Sequence, residues 1–201
     1  MSALPDTPVT MIARLAAAVT GESQASWTRF FTLYQPVIRR FAEYAGAKGD
    51  SEDIAQDVLV KLVSIFREGK FRPEKGRFRS YLATLTRRVV INHWQKSQAR
   101  AAARHVSIDD DGLSLEVAVP SETEAVLDAK WRLARHDAAV EHVLTKTALA
   151  AKTKGMYRAY VLEGQDIGKV AEAFGVPRNA VSQAKTRVER MIADFEEMLS
   201  D

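Results

Sequence analysis

Eight side chains between Arg178 and Arg190 are of the types that exchange hydrogen bonds with nucleic-acid groups: Arg178, Asn179, Ser182, Gln183, Lys185, Thr186, Arg187 and Arg190. Asn and Gln match the donor–acceptor edge of adenine and Arg that of guanine, while Lys, Ser and Thr bond phosphates. On a helix, Val181, Ala184, Val188 and Met191 define an inner face. At about 100° per residue, Asn179, Ser182, Gln183, Thr186 and Arg190 fall opposite it, with Arg178, Lys185 and Arg187 along the borders. An ordinary helical hairpin with a solvated polar face is the plain alternative, but it gives no reason for the basic, acid-poor character of that surface.

A second group lies on the predicted helix from Ser80 to Gln98, where Ser80, Thr84, Arg87, Arg88, Ile91, Trp94 and Gln95 oppose an apolar stripe. Duplex binders need chiefly cations, whereas single-strand binders add flat rings on which unpaired bases stack, and Trp94 and Tyr81 are the candidate rings. Arg77 and Arg79 lead into that helix. A Trp at helical spacing is also a common core residue. A third group, Asp53, Gln56, Asp57 and Lys61, recurs on one face of an earlier helix, as either a solvated surface or a face that meets a basic partner.

No reaction chemistry is legible. Gly164-x-x-x-Gly168-Lys169-Val170 has one residue too few between its glycines for a phosphate-binding loop, and Val stands where Ser or Thr should hold magnesium. His93, His105, His136 and His142 lack ligand spacing. No catalytic residue, metal site or cofactor is assigned.

The elements that must position these residues are helical. With 10 Gly and 6 Pro in 201 residues, long Ala-, Leu-, Glu- and Arg-rich stretches run uninterrupted, so an all-α protein is expected. Met11, Ile12, Leu15 and Val19 predict a short helix over Thr7 to Val19. Trp27, Phe30, Phe31, Tyr34, Val37, Ile38 and Phe41 predict a second over Ser26 to Ala45, bent at Pro36. Asp50 or Ser51 caps a third, with Ile54, Val58, Leu62 and Ile65 inside and its end near Gly69. After a loop from Lys70 to Arg77, Phe78, Leu82, Leu85 and Val89 line a fourth helix to about Gln98.

Periodicity then fails from Ala99 to Pro120, which reads as a flexible linker, and Ser121-x-x-Glu124 reads as a capping box opening a new helix. Beyond it, apolar stripes run through Trp131, Leu133, Val140, Val143 and Leu144, then Tyr157 to Leu162. Ile167, Val170, Ala171 and Phe174 predict a short helix, Gly175 a tight turn with positive φ, and Pro177 the start of the next helix, a helix-turn-helix spacing. The expected organisation is a four-helix domain at 1–98, a linker at 99–121 and a second helical domain at 122–201.

Charge follows the same division. The net charge is only +3, but ten basic residues and one acid, Glu74, lie between Lys70 and Arg104, while seven acids and no Lys or Arg lie between His105 and Asp128. A polyanion-binding face beside an acidic tether has this pattern. The absence of cysteine excludes disulfides and thiolate metal sites, and with no signal-like N-terminus or long apolar run a cytoplasmic, membrane-free location is expected.

The stretches SEDIAQDVLVKL (Ser51 to Leu62), GRFRSYLATLTRRVVINHWQK (Gly76 to Lys96) and KVAEAFGVPRNAVSQAKTRVERM (Lys169 to Met191), in this order and at these separations, resemble extracytoplasmic-function (ECF) sigma factors of the sigma-70 superfamily. The resemblance implies that Asp53, Gln56, Asp57 and Lys61 dock on the β′ clamp helices of core RNA polymerase. It also implies that the segment from about Lys70 to Lys96 takes the minus-10 element with a flipped base. The Arg178 to Arg190 helix would read minus-35 DNA near the β flap, and the acidic linker would thread toward the RNA exit path.

The chain departs from the family pattern at Arg88, Asn92 and Gln95 or Lys96, where Asn, Asp and Arg are usual. KTALAAKTKGMYRAY replaces the common Leu-Pro ahead of the minus-35 helices. The partners expected are core polymerase and promoter DNA, with an anti-sigma factor or other regulator as a further partner. Two rivals stand beside this reading. A polymerase-independent helix-turn-helix regulator leaves the acidic row unexplained, and a sigma mimic that sequesters an anti-sigma factor has no need of DNA-reading cations.

Overall fold

In the computed structural model the described residues are 23–68, 70–71, 78–103 and 123–199. They form seven α-helices and one π-helical turn, with no strand among them, so the chain is all-α. The helices are α1 (Ser23–Tyr44), α2 (Ser51–Arg67), α3 (Phe78–Ala103), α4 (Glu124–Lys146), α5 (Ala151–Tyr157), α6 (Ile167–Ala173) and α7 (Arg178–Glu197), with the π turn at Arg158–Leu162. The expected helix over Thr7 to Val19 and the stretch 104–122 lie outside the described residues. Two compact units divide inside α4, between Ala134 and Arg135.

In the first unit, Phe30, Val37, Ile38, Phe41 and Ala42 of α1 meet Ile54, Ala55, Val58, Leu62 and Phe66 of α2, all essentially buried. The spacing of three and four residues that marked these stripes in the sequence is the face they bury. Pro36 sits inside α1 without ending it. Its missing N–H forgoes one hydrogen bond of the helix. An aromatic cluster fills the far end, with Phe30 stacked on Tyr34 at 4.5 Å and Phe78 edge-on to Tyr34 at 5.5 Å. Phe71 bridges Phe66 at 5.2 Å and Tyr81 at 5.4 Å. Such pairs add about 0.5–1.5 kcal/mol each beyond the area they bury.

Phe78, Leu82, Ala83, Thr86, Val89 and Val90 form the inner face of α3. Leu85 is half-buried at its border, so Thr86 takes the central place expected for Leu85. The Thr86 hydroxyl avoids an unpaired burial by donating to the Leu82 carbonyl at 2.8 Å. Asp50 stands at the N-cap of α2 without a side-chain cap bond. Ser51 instead turns its hydroxyl to Glu43 at 3.3 Å, joining Arg39 and Arg40, which bond the same carboxylate at 2.8 and 2.9 Å.

α4 begins at Glu124, two residues later than the capping box implies, and the Thr123 carbonyl accepts from the N–H groups of Val126 and Leu127; Ser121 lies outside the described residues. Trp131 and Ala134 are buried while Leu133 is 54% exposed, against expectation. At about 100° per residue Leu133 points some 200° away from Trp131, so one helix cannot bury both on one face. Trp131 packs on Phe41 with ring centroids 5.9 Å apart.

In the second unit, Met156, Ala159, Val170, Ala171, Val181 and Ala184 form a core cluster with Tyr160, Ile167, Phe174 and Val176 packed against it. The small residues let α6 and α7 cross closely. Leu149 is buried and Lys154 donates to the Thr147 carbonyl at 2.8 Å, closing the turn between α4 and α5. The segment Tyr157 to Leu162 widens into the π turn, which buries Ala159 and leaves Leu162 exposed. Ile192 and Phe195 are buried on α7, with Met191 only half-buried.

Candidate nucleic-acid interface

α6 ends in Phe174, Gly175 takes φ 58°, and Pro177 stands at the N-cap of α7 with ψ 153°. The Val176 N–H reaches back to the Ala171 carbonyl at 2.9 Å and the Gly175 N–H to Glu172 at 3.0 Å, a Schellman closure that needs a residue free to enter the left-handed region. The turn fixes the direction in which α7 leaves. Val181, Ala184 and Val188 are buried, and Arg178, Asn179, Ser182, Gln183, Thr186, Arg187 and Arg190 are exposed, with Lys185 half-buried. The face expected to meet base edges and phosphates is thus solvent-facing along its whole length.

Two side chains on that face are partly occupied. Lys185 lies 3.7 Å from Glu189, one turn on, and the Thr186 hydroxyl donates to the Ser182 carbonyl at 3.1 Å. Exposed pairs of this kind contribute a few tenths of a kcal/mol, so neither obstructs a phosphate. Asp166 caps α6 by accepting from the N–H groups of Gly168 and Lys169 at 2.8 and 3.1 Å.

On α3, Thr84, Arg88 and Trp94 are exposed, and Arg79, Ser80, Tyr81, Arg87, Ile91 and Gln95 are half-buried. Arg77 lies outside the described residues. Tyr81 packs against Phe71, and burial pushes its hydroxyl pKa up, with Arg88 pulling the other way. Trp94 is 45% exposed, so it is neither a core residue nor a free ring. Its six-membered ring rests on Gly46, where a Cβ would come within 2.9 Å of it. His93 holds the same corner through Asp50, 3.2 Å away. Arg79 approaches Asp128 of α4 at 3.9 Å, a pairing across almost fifty residues that no local pattern announces.

On α2, Asp53, Gln56, Asp57 and Lys61 all face solvent. Val60 joins them at 69% exposure, a residue that sequence reasoning passed over, although it follows Asp57 by three positions and therefore shares its face. Gly46 and Gly168 were also missed as contributors, because what matters there is the side chain they lack.

The fold and these surfaces define an all-α protein with one unit carrying a mixed cationic and aromatic helix and another carrying an exposed polar helix after a tight turn. Residues 30–100 match the family model described as Sigma-70 region 2. That family consists of non-enzymatic transcription initiation factors that bind core RNA polymerase and promoter DNA. Comparison with curated proteins and with solved structures returned no match. No helix among the described residues is long and apolar enough to cross a membrane.

Proposed function

We propose that the chain is an ECF-type sigma factor that binds core RNA polymerase and directs promoter recognition, DNA melting and transcription initiation. In this reading Asp53, Gln56, Asp57 and Lys61 dock on the polymerase clamp helices. Residues 77–95 take minus-10 DNA, the linker begins after α3 ends at Ala103 rather than at 99, and α7 is the second helix of a helix-turn-helix that reads minus-35 DNA. The observation that carries it is the conjunction, in one chain, of the Sigma-70 region 2 match over residues 30–100 with a separate unit whose α7 exposes Arg178, Asn179, Ser182, Gln183, Thr186, Arg187 and Arg190. A helix-turn-helix regulator acting alone would give no purpose to the first unit.

The test is reconstitution. Core RNA polymerase is mixed with the protein and a random pool of duplex DNA, bound sequences are selected, and transcription from them is measured. Enrichment of two-part sites, with initiation dependent on the protein, is the expected result. Failure to bind core polymerase stably would remove the reading. Binding to an anti-sigma factor without initiation would favour the mimic.

A further inference from the structure

We infer that Gly168 is a positioning residue for Arg178, leaving open the space in which its guanidinium is presented to a DNA phosphate. The inference rests on the proposed reading of α7 and deepens it. Gly168 lies in the first turn of α6, where its backbone has no positive φ, so the glycine is not demanded by conformation. What the position does require is emptiness: a Cβ would lie 2.8 Å from Nη2 and 3.3 Å from Nε of Arg178, and 2.9 Å from the capping Asp166 Oδ1.

Arg178 is the first residue of α7, where a cation opposes the helix dipole, so folding of α7 gives it no electrostatic return. It is exposed, and among the described residues it makes no ion pair or hydrogen bond. Its guanidinium therefore lies over the start of α6, in the space a Cβ at 168 would take, with its fork of donors uncommitted. A planar guanidinium seated in this way suits a phosphate oxygen pair, which it can bond in two places. A bulkier residue at 168 would push the flexible end of Arg178 aside before it moved any backbone.

The experiment measures binding of the full-length protein to random-sequence duplex DNA over a series of salt concentrations, with thermal melts in parallel. Arg178→Ala should weaken binding roughly tenfold and lower the salt slope by about 0.9. Gly168→Ala should reproduce most of both changes while the protein remains folded, and should add nothing in the Arg178→Ala background. Wild-type affinity in Gly168→Ala alongside a weakened Arg178→Ala overturns the inference, as does an undiminished Gly168→Ala loss in the double variant, which would point to the Asp166 cap. If Gly168→Ala does not fold, recovery of folding in the double variant supports the steric contact and continued misfolding refutes it. Should Arg178→Ala bind normally while Arg187→Ala and Arg190→Ala weaken binding, this inference alone falls. If none of the three matters, the DNA-binding reading of α7 falls and takes the inference with it.

Discussion

At φ 102° Gly46 closes α1, its N–H bonded to the Glu43 carbonyl at 3.0 Å and that of Ala47 to Ala42 at 2.9 Å. The same backbone supports the indole of Trp94, which any side chain at 46 would meet. Two independent costs therefore attach to Gly46→Ala: about 1–2 kcal/mol for a left-handed alanine, and displacement of the ring. The expected outcome is a lower midpoint in urea, with the fluorine resonance of 5-fluorotryptophan at 94 shifted and those at 27 and 131 held. A shift confined to Trp94 would show that one glycine sets the position of this exposed ring. Equal movement of all three resonances would mean that the substitution loosens the whole unit instead.

Helices carry their own information in proportion to how regular their inner faces are. α1 and α2 were legible because large apolar residues recur every three or four positions with polar ones between them. The turn at Gly175 was legible because glycine followed by Pro177 permits few other conformations. α4 was harder: its inner face is made of Ala134, Ala138 and Ala139 as much as Trp131, and alanines on both faces leave the stripe undefined, so Leu133 was placed inside. The π turn and the contact of Arg79 with Asp128 depend on packing between distant segments and have no local signature.

α4 also carries a titration that can be measured. His142 stacks on Phe195 with centroids 4.4 Å apart; burial, and then the neighbouring Lys146, lower its pKa from the ordinary value of 6.5. As pH falls, the unfolded chain takes up this proton before the folded one, so the contribution is intact above about 6.5 and is lost as pH falls toward the lower folded value. Thermal melts between about pH 7.5 and 5.5 should show a decline that His142→Leu reduces. An identical decline in the variant would assign the acid sensitivity to other groups.

Across the whole chain, the acidic row of α2 and the polar face of α7 belong to different units and share no residue, so they can be disabled separately. Distant sites without common partners contribute additively. Asp57→Arg puts a cation where a basic partner is proposed to dock, a like-charge contact that costs several kcal/mol. It should cut core-polymerase binding more than tenfold, with circular dichroism and the affinity of the isolated protein for duplex DNA unchanged. Arg187→Ala combined with Arg190→Ala should do the converse, lowering the salt slope of DNA binding by about two and leaving the pull-down on core polymerase intact. Both variants should fail to initiate transcription if, as proposed, the chain holds enzyme and promoter together. A variant that lost both binding activities at once, while still folded, would mean that the two surfaces are not independent and that the assignment of one partner to each is wrong.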